Sequence, residues 1–131
     1  DTWNYLVGKT WSDGDQDTAP SWNLNLNFGF GTSNQTLDSG ASTKGENALV
    51  NLTAQHFNWG NLTAAYGYNT ITSPLDGSKS EQRQYQIETA HSFAKQNRAG
   101  IKFYWQHSDS FTGAAFGYTE QKLGLQLSYA L

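Results

Sequence analysis

Strict alternation over the last ten residues constrains this chain more than any other feature. In residues 122–131, Lys-Leu-Gly-Leu-Gln-Leu-Ser-Tyr-Ala-Leu, an apolar side chain occupies every second position, and small or polar residues stand between them. Successive side chains of a β-strand point to opposite faces of the sheet. The segment therefore predicts a strand with one apolar face and one small or polar face.

The same two-residue period recurs along the chain and predicts an all-β fold in a single domain spanning residues 1–131. We expect about seven or eight long strands, seven of which can be assigned, at residues 3–11, 21–31, 48–57, 61–72, 82–94, 99–107 and 119–131. Most of these runs reach the ~9–11 residues that a tilted membrane strand requires. Strands of globular proteins are typically shorter, about 5–6 residues.

The composition suits a sheet without an apolar core. Hydrophobic residues make up 37% of the chain and aromatic residues 15%, while Val and Ile are scarce. A soluble barrel normally fills its core with such branched residues, whereas a transmembrane barrel turns its apolar residues to lipid and can keep a polar interior. No window approaches the ~20 apolar residues of a transmembrane helix.

The remaining composition removes several classes of function. The chain has no Cys, which excludes disulfides and thiolate chemistry. Its net charge of −3 gives no sign of the basic patch that nucleic-acid binding requires. We expect no cofactor and no metal site.

The connections are predicted to alternate in length. Residues 58–60 and 96–98 read as tight turns, whereas residues 32–47, 73–81 and 108–118 read as long polar loops. Short turns on one side and long loops on the other are typical of outer-membrane barrels.

The C-terminal residues resemble the assembly signal of bacterial outer-membrane β-barrel proteins. That signal reads polar-x-Gly-x-x-hydrophobic-x-aromatic, which Lys122, Gly124, Leu127 and Tyr129 match, although the family favours an aromatic last residue and this chain has Leu131. The resemblance implies an antiparallel up-and-down transmembrane β-barrel in the outer membrane of a Gram-negative bacterium. Its partners would be the lipid bilayer and the outer-membrane assembly machinery.

Each face of the predicted barrel has candidate residues. The candidates for lining a lumen are polar: Gln84, Gln86, Glu88, Lys102, Tyr104 and Gln106. A hairpin turning near residues 96–97 would set Glu88 opposite Tyr104 and diagonal to Lys102. The candidates for an aromatic girdle at the membrane interface are Trp3, Trp22, Trp105 and Tyr129.

Seven strands leave the barrel incomplete, because bacterial single-chain barrels have even strand counts from eight upward. A strand has been missed, the chain is the C-terminal portion of a larger barrel, or several chains build one barrel. The tetrapeptide Asn51–Ala54 recurs as Asn61–Ala64, ten residues on, which suits the two arms of one hairpin.

Three functions are compatible with these patterns. The first is a non-enzymatic, porin-like barrel for passive passage of small polar solutes, or a structural role that presents loops. The second is a soluble, secreted β-barrel that binds carbohydrate or another small ligand through Trp and Tyr. The third is an outer-membrane lipid hydrolase, because His107, Ser110 and Glu120 loosely resemble the motif of lipid A deacylases.

Two further groups of residues are weak metal candidates. Residues 13–17, Asp-Gly-Asp-Gln-Asp, place carboxylates at alternate positions but lack the glycine and glutamate of an EF-hand loop, so an acidic turn is the better interpretation. His56 and His91 have no third ligand suggested by the sequence.

Overall fold

A computed structural model describes residues 1–14, 20–36, 38–56, 60–93, 99–113 and 116–129. It contains seven strands, β1 (Thr2–Ser12), β2 (Trp22–Thr36), β3 (Ser42–His56), β4 (Gly60–Thr72), β5 (Lys79–Phe93), β6 (Ala99–Thr112) and β7 (Phe116–Tyr129). Within these ranges there is no helix. All seven assigned strands are present, and several extend further than predicted, β3 beginning at Ser42 and β6 ending at Thr112.

The strands form one sheet in the order β1-β2-β3-β4-β5-β6-β7, and each pairs antiparallel with its sequence neighbours. This confirms the up-and-down, all-β prediction. The sheet is not a closed barrel, since the described residues of β1 and β7 pair on one side only. Because β1 and β7 run in the same direction, joining them directly would make a parallel ladder. Antiparallel closure needs an odd number of further strands.

The predicted long loops are largely wrong. Most of the segment 32–47 belongs to β2 and β3, which leaves residues 37–41 as the connection, and most of 108–118 belongs to β6 and β7, which leaves 113–115. The expected asymmetry of loop lengths disappears with them, because the connection at 13–21 is longer than either. Gly, Ser, Thr and Asn residues can form a ladder because its hydrogen bonds come from the backbone.

Cross-strand register sorts the side chains into two faces. One, the apolar face, presents aromatic and aliphatic residues on every strand, such as Phe28, Val50, Tyr66 and Tyr85, which lie in neighbouring register positions. The other, the polar face, carries mainly Asn, Gln, Ser, Thr and Gly. The period-2 alternation predicted from the sequence is therefore present on all seven strands, with exceptions such as Leu6 and Leu49 on the polar face.

The apolar face is not covered by any part of the described chain. None of the described hydrophobic side chains is buried, and Leu127 of β7 is 71% exposed. The accessible surface is 9813 Å². A folded monomer of 14.5 kDa would expose about 6,900 Å² by the usual scaling with mass. The sheet is a single layer that has no core of its own.

The repeated tetrapeptide forms the two arms of the β3–β4 hairpin, as the sequence predicted. Thr53 pairs with Thr63 at the centre of the repeat, and the leucine of each copy stands opposite the alanine of the other. Leu52 thus faces Ala64, and Leu62 faces Ala54. Each large side chain meets a small one, which suits close packing across the ladder.

The turn between β4 and β5 is held by its own hydrogen bonds. Ser73 donates its N–H to the Ser78 carbonyl oxygen over 2.8 Å, and Gly77, at φ 68°, donates to the Ser73 carbonyl over 3.1 Å. The Ser78 N–H donates to Asp76 Oδ1 over 3.0 Å. This bond and those from the Ser78 and Ser73 hydroxyls lower the pKa of Asp76 to about 2.

We expect the Asp76 turn to loosen in acid, at a pH below the range in which a carboxylate usually titrates. A lowered pKa means that ionised Asp76 stabilises the fold above about pH 3.9, the unfolded value, and that this contribution is lost as the pH falls towards about 2. The Ser78 amide chemical shift should titrate with a midpoint near 2. Asp76→Asn should abolish that titration; a midpoint close to 4 in the unchanged protein would contradict the assignment.

Candidate functional site

The six residues predicted to line a lumen lie together on the polar face of β5 and β6. Gln86 is directly opposite Gln106, and Glu88 is directly opposite Tyr104, as the sequence predicted. Gln84 faces Ser108, which is buried. These residues form one continuous polar surface, and whether it lines a lumen stays a prediction.

Charges on the strands of this surface occur in pairs. Lys102 Nζ lies 2.9 Å from Glu88 Oε1, in the diagonal arrangement expected from the sequence, and both side chains are partly exposed. On β7, Lys122 Nζ lies 3.1 Å from Glu120 Oε2. Within the described strands no other Asp, Glu, Lys or Arg belongs to the polar face. The polar face therefore has no net charge.

Tyr104 lies at the centre of this surface, opposite Glu88 on β5 and Gly124 on β7. Its ring extends over Gly124 of β7, so that a β-carbon added to Gly124 would overlap Cε1, Cζ and the hydroxyl oxygen. Tyr104 as a residue remains 38% exposed. Gly124 was singled out as part of the assembly signal, and its role as a seat for Tyr104 follows only from the β6–β7 register, which sets the two residues opposite each other.

Replacing Gly124 by alanine is expected to destabilise the folded protein by about 1–3 kcal/mol, since the new methyl group would overpack against the Tyr104 ring. Gly67→Ala is a matched control, because apart from its two chain neighbours no residue has an atom within 4 Å of the added β-carbon. Urea unfolding of the refolded protein measures both changes. Equal midpoints for the two variants would contradict the packing of Tyr104 on Gly124.

Carboxamide side chains cross the upper part of the polar face, by which we mean the end with the 37–41, 73–78 and 113–115 connections. One register row runs through Asn4, Gly31, Asn47, Asn69 and Gln82. A β-carbon at Gly31 would overlap the side-chain oxygens of Asn4 and Asn47. The sequence analysis missed this row, because its members come from five different strands and only the register brings them together.

Aromatic residues mark both ends of the apolar face. Trp22 opens β2 and Tyr129 closes β7 at the lower end, the end with the 13–21, 57–59 and 94–98 connections, whereas Trp3 lies near the upper end of β1. The predicted Trp105 lies in the middle of β6, because that strand continues to Thr112. Lys9 places its Nζ 5.3 Å from the centroid of the Trp11 ring, near the lower end.

The residues of the C-terminal signal divide between the faces. Lys122 and Gly124 belong to the polar face, and Leu127 and Tyr129 belong to the apolar face. Residues 130–131, including the Leu131 that departs from the family pattern, lie outside the described residues. So do Asp15 and Asp17 of the acidic turn.

A second polar cluster lies at the upper border of the apolar face. His107 Nε2 lies 3.1 Å from Asp109 Oδ2, and Thr119 donates its hydroxyl to Asp109 Oδ1 over 2.8 Å. The structure does not bring His107 together with Ser110 and Glu120, which lie on the polar face. The hydrolase hypothesis therefore has its histidine on one face and its proposed nucleophile and carboxylate on the other.

The metal candidates do not converge either. Asp13 accepts hydrogen bonds from the Ser21 hydroxyl and, over 3.0 Å, from the Trp22 N–H, and these lower the pKa of Asp13. This contact fastens the end of the β1–β2 connection. His56 and His91 lie on the apolar face. Among the residues that the structure describes, no group of three or more His, Cys, Asp or Glu could hold a metal ion.

The sequence matches no family model, and no curated protein or solved structure matches it. In the described parts of the chain, no helix is both long and apolar enough to cross a membrane.

Proposed function

We propose that this chain forms part or all of an outer-membrane β-barrel of a Gram-negative bacterium. In this proposal the apolar face contacts lipid, and the polar face lines a water-filled path for passive, porin-like passage of small uncharged polar solutes. The observation that carries the proposal is the uncovered apolar face of a single-layer sheet. A sheet that leaves this face exposed to water would be unstable, because burial of apolar surface is the main driving force of folding.

The charge-free part of the apolar face has the length scale of a membrane. On β2 it extends from Trp22 to Phe30 without a charged residue, and on β7 from Tyr129 to Leu123. Eight residues along β2 span about 26 Å at ~3.3 Å per residue. A strand tilt of about 40° would reduce the height to roughly 20 Å, near the ~25 Å apolar band of outer-membrane barrels.

This apolar band crosses the sheet obliquely. One register row begins with Tyr5 and Phe30 on β1 and β2 and ends with Arg83, Asp109 and Thr119 on β5, β6 and β7. A flat membrane slab would intersect tilted strands in this way, because the rungs of the ladder run perpendicular to the strands and not parallel to the membrane. The oblique border of the apolar band therefore supports the proposal that the strands cross a membrane at a tilt.

The chemistry of the polar face suits the passage of uncharged solutes better than that of ions. Its carboxamides and hydroxyls both donate and accept hydrogen bonds. In each of its two ion pairs, Glu88–Lys102 and Glu120–Lys122, the opposite charges cancel at a distance. A surface of this type neither concentrates nor repels ions strongly. It offers a solute many exchangeable hydrogen bonds.

Folding behaviour tests the proposal. The untagged chain would be unfolded in urea and diluted either into plain buffer or into detergent micelles, and strand content would be followed by circular dichroism. We expect strand formation only in micelles, together with a heat-dependent shift in gel mobility. A control refolding with Leu125→Asp, which places a carboxylate on the apolar face of β7, should fold less completely in micelles.

A monodisperse, strand-rich protein in plain buffer would contradict the membrane proposal. It would favour a soluble protein in which the apolar face packs against a second layer, and the polar face would then be the outer surface. A glycan-binding screen would follow from that outcome.

A further inference from the structure

The Tyr104 ring lies against Gly124 on the polar face. Gly124 lies beneath it, and the contact extends to three consecutive atoms of the tyrosine side chain. Because the ring occupies the space above a residue without a side chain, it lies close to the sheet. Its accessible part, 38% of the residue, therefore faces the same side as the surrounding polar groups.

Hydrogen-bonding groups surround this ring on the same face. Glu88 is opposite Tyr104 on β5, and Lys102 and Gln106 lie two residues before and after it on β6. The Glu88–Lys102 pair, 2.9 Å apart and partly exposed, holds an acceptor and a donor side by side. Gln86, opposite Gln106, adds a second carboxamide.

We infer that Tyr104 is the stacking platform of a binding subsite for a neutral saccharide, with Glu88, Lys102, Gln86 and Gln106 as its hydrogen-bonding rim. A pyranose ring with equatorial hydroxyl groups presents C–H bonds on its faces and hydroxyl groups at its edge. The negative face of an aromatic ring attracts such C–H groups, and paired donors and acceptors suit hydroxyl groups, which are both. The absence of net charge on the described polar face favours a neutral ligand over an ionic one.

This inference deepens the proposed function and rests on it in one respect, that the polar face contacts water. It adds a solute class and a residue on which the solute stacks. The competing explanation is that Tyr104 packs on Gly124 only to stabilise the β6–β7 pair, without any ligand.

Saturation-transfer NMR and a binding titration with cellotriose test the subsite. The protein would be refolded in a zwitterionic detergent without a sugar headgroup, so that the detergent does not compete. Sorbitol is the control ligand, because it has the hydroxyl groups but no ring face. We expect saturation transfer to the axial ring protons of cellotriose and little transfer to sorbitol.

Variants separate stacking from mere exposure. Tyr104→Ala should weaken cellotriose binding by at least about tenfold, whereas Tyr104→Phe, which keeps the ring, should retain binding within about threefold. Tyr118→Ala is the matched control, since Tyr118 is an exposed tyrosine of the same face in β7 and should not affect binding. Gly124→Ala, which keeps Tyr104 but displaces its ring, should also weaken binding.

The outcomes are distinguishable from those of the folding test. A protein that folds only in micelles but binds cellotriose no better than sorbitol, or equally well after Tyr104→Ala, overturns the subsite and leaves the membrane proposal intact. A protein that folds in plain buffer and binds cellotriose through Tyr104 overturns the membrane proposal and supports the subsite. If Tyr104→Ala fails to fold, the Gly124→Ala and Tyr104→Phe titrations decide.

Discussion

In the proposed membrane orientation, replacing Ile87 by arginine is expected to destabilise the folded protein by about 2–4 kcal/mol, the cost of a lipid-facing arginine near the membrane midplane. Ile87 lies on the apolar face of β5 between Trp105 and Ala64, and it is 41% exposed. The guanidinium would have to leave water for lipid or distort the bilayer. Urea unfolding in phospholipid vesicles measures the change.

Two controls give this prediction its specificity. Gln86→Arg adds the same side chain at the neighbouring position on the polar face and should change stability by less than about 0.5 kcal/mol. Phe93→Arg places arginine on the apolar face at the lower end of β5 and should cost only about 0–1 kcal/mol for the charge itself, because the penalty falls towards the interface. Equal costs at positions 86 and 87 would contradict a lipid-facing Ile87.

Replacing Lys102 by glutamate is expected to shift ion selectivity towards cations in a conducting barrel. The change removes the partner of Glu88 and converts a neutral pair into two negative charges. At about 8 Å in water a unit charge contributes ~0.5 kcal/mol. With screening, a change of two charge units alters the cation-to-anion preference roughly two- to fivefold.

Reversal potentials in planar bilayers under a salt gradient measure this shift. Lys102→Gln should give an intermediate value. Lys44→Glu makes the same charge change on the other face of the sheet and should leave the reversal potential unchanged. If Lys102→Glu behaves like Lys44→Glu, Lys102 does not line the conducting path.

Much of the fold could be predicted because the side-chain pattern has the same period throughout. Alternating apolar and polar residues, clearest in segments 21–31 and 82–94, indicated each of the seven strands. The position of one tight connection was enough to set Glu88 opposite Tyr104, because register in a hairpin follows from the turn. The contact between Glu88 and Lys102 followed from the same register.

The features that could not be predicted depend on contacts between strands, which leave no pattern in the sequence of any one strand. The upper parts of β2, β3 and β6 read as loops, since Gly, Ser and Asn are common in turns and their backbone pairing leaves no apolar pattern. The seat of Tyr104 on Gly124 requires the register of two separate strands. The Asp109 contacts of His107 and Thr119 likewise depend on which face each residue occupies.

The pairing of the two Asn-Leu-Thr-Ala copies has a consequence for how the chain folds. A segment that pairs antiparallel with its own copy needs no distant partner, and here the copies are joined by a short connection at residues 57–59. Such a hairpin can form in about 1–10 μs, before strands far apart in the sequence meet. We expect the β3–β4 hairpin to be among the first parts of the sheet to form. The same self-complementarity lets unfolded copies of the chain recognise one another through these tetrapeptides. Refolding yield should therefore fall as protein concentration rises, and replacing Leu52 and Leu62 by threonine should relieve that loss.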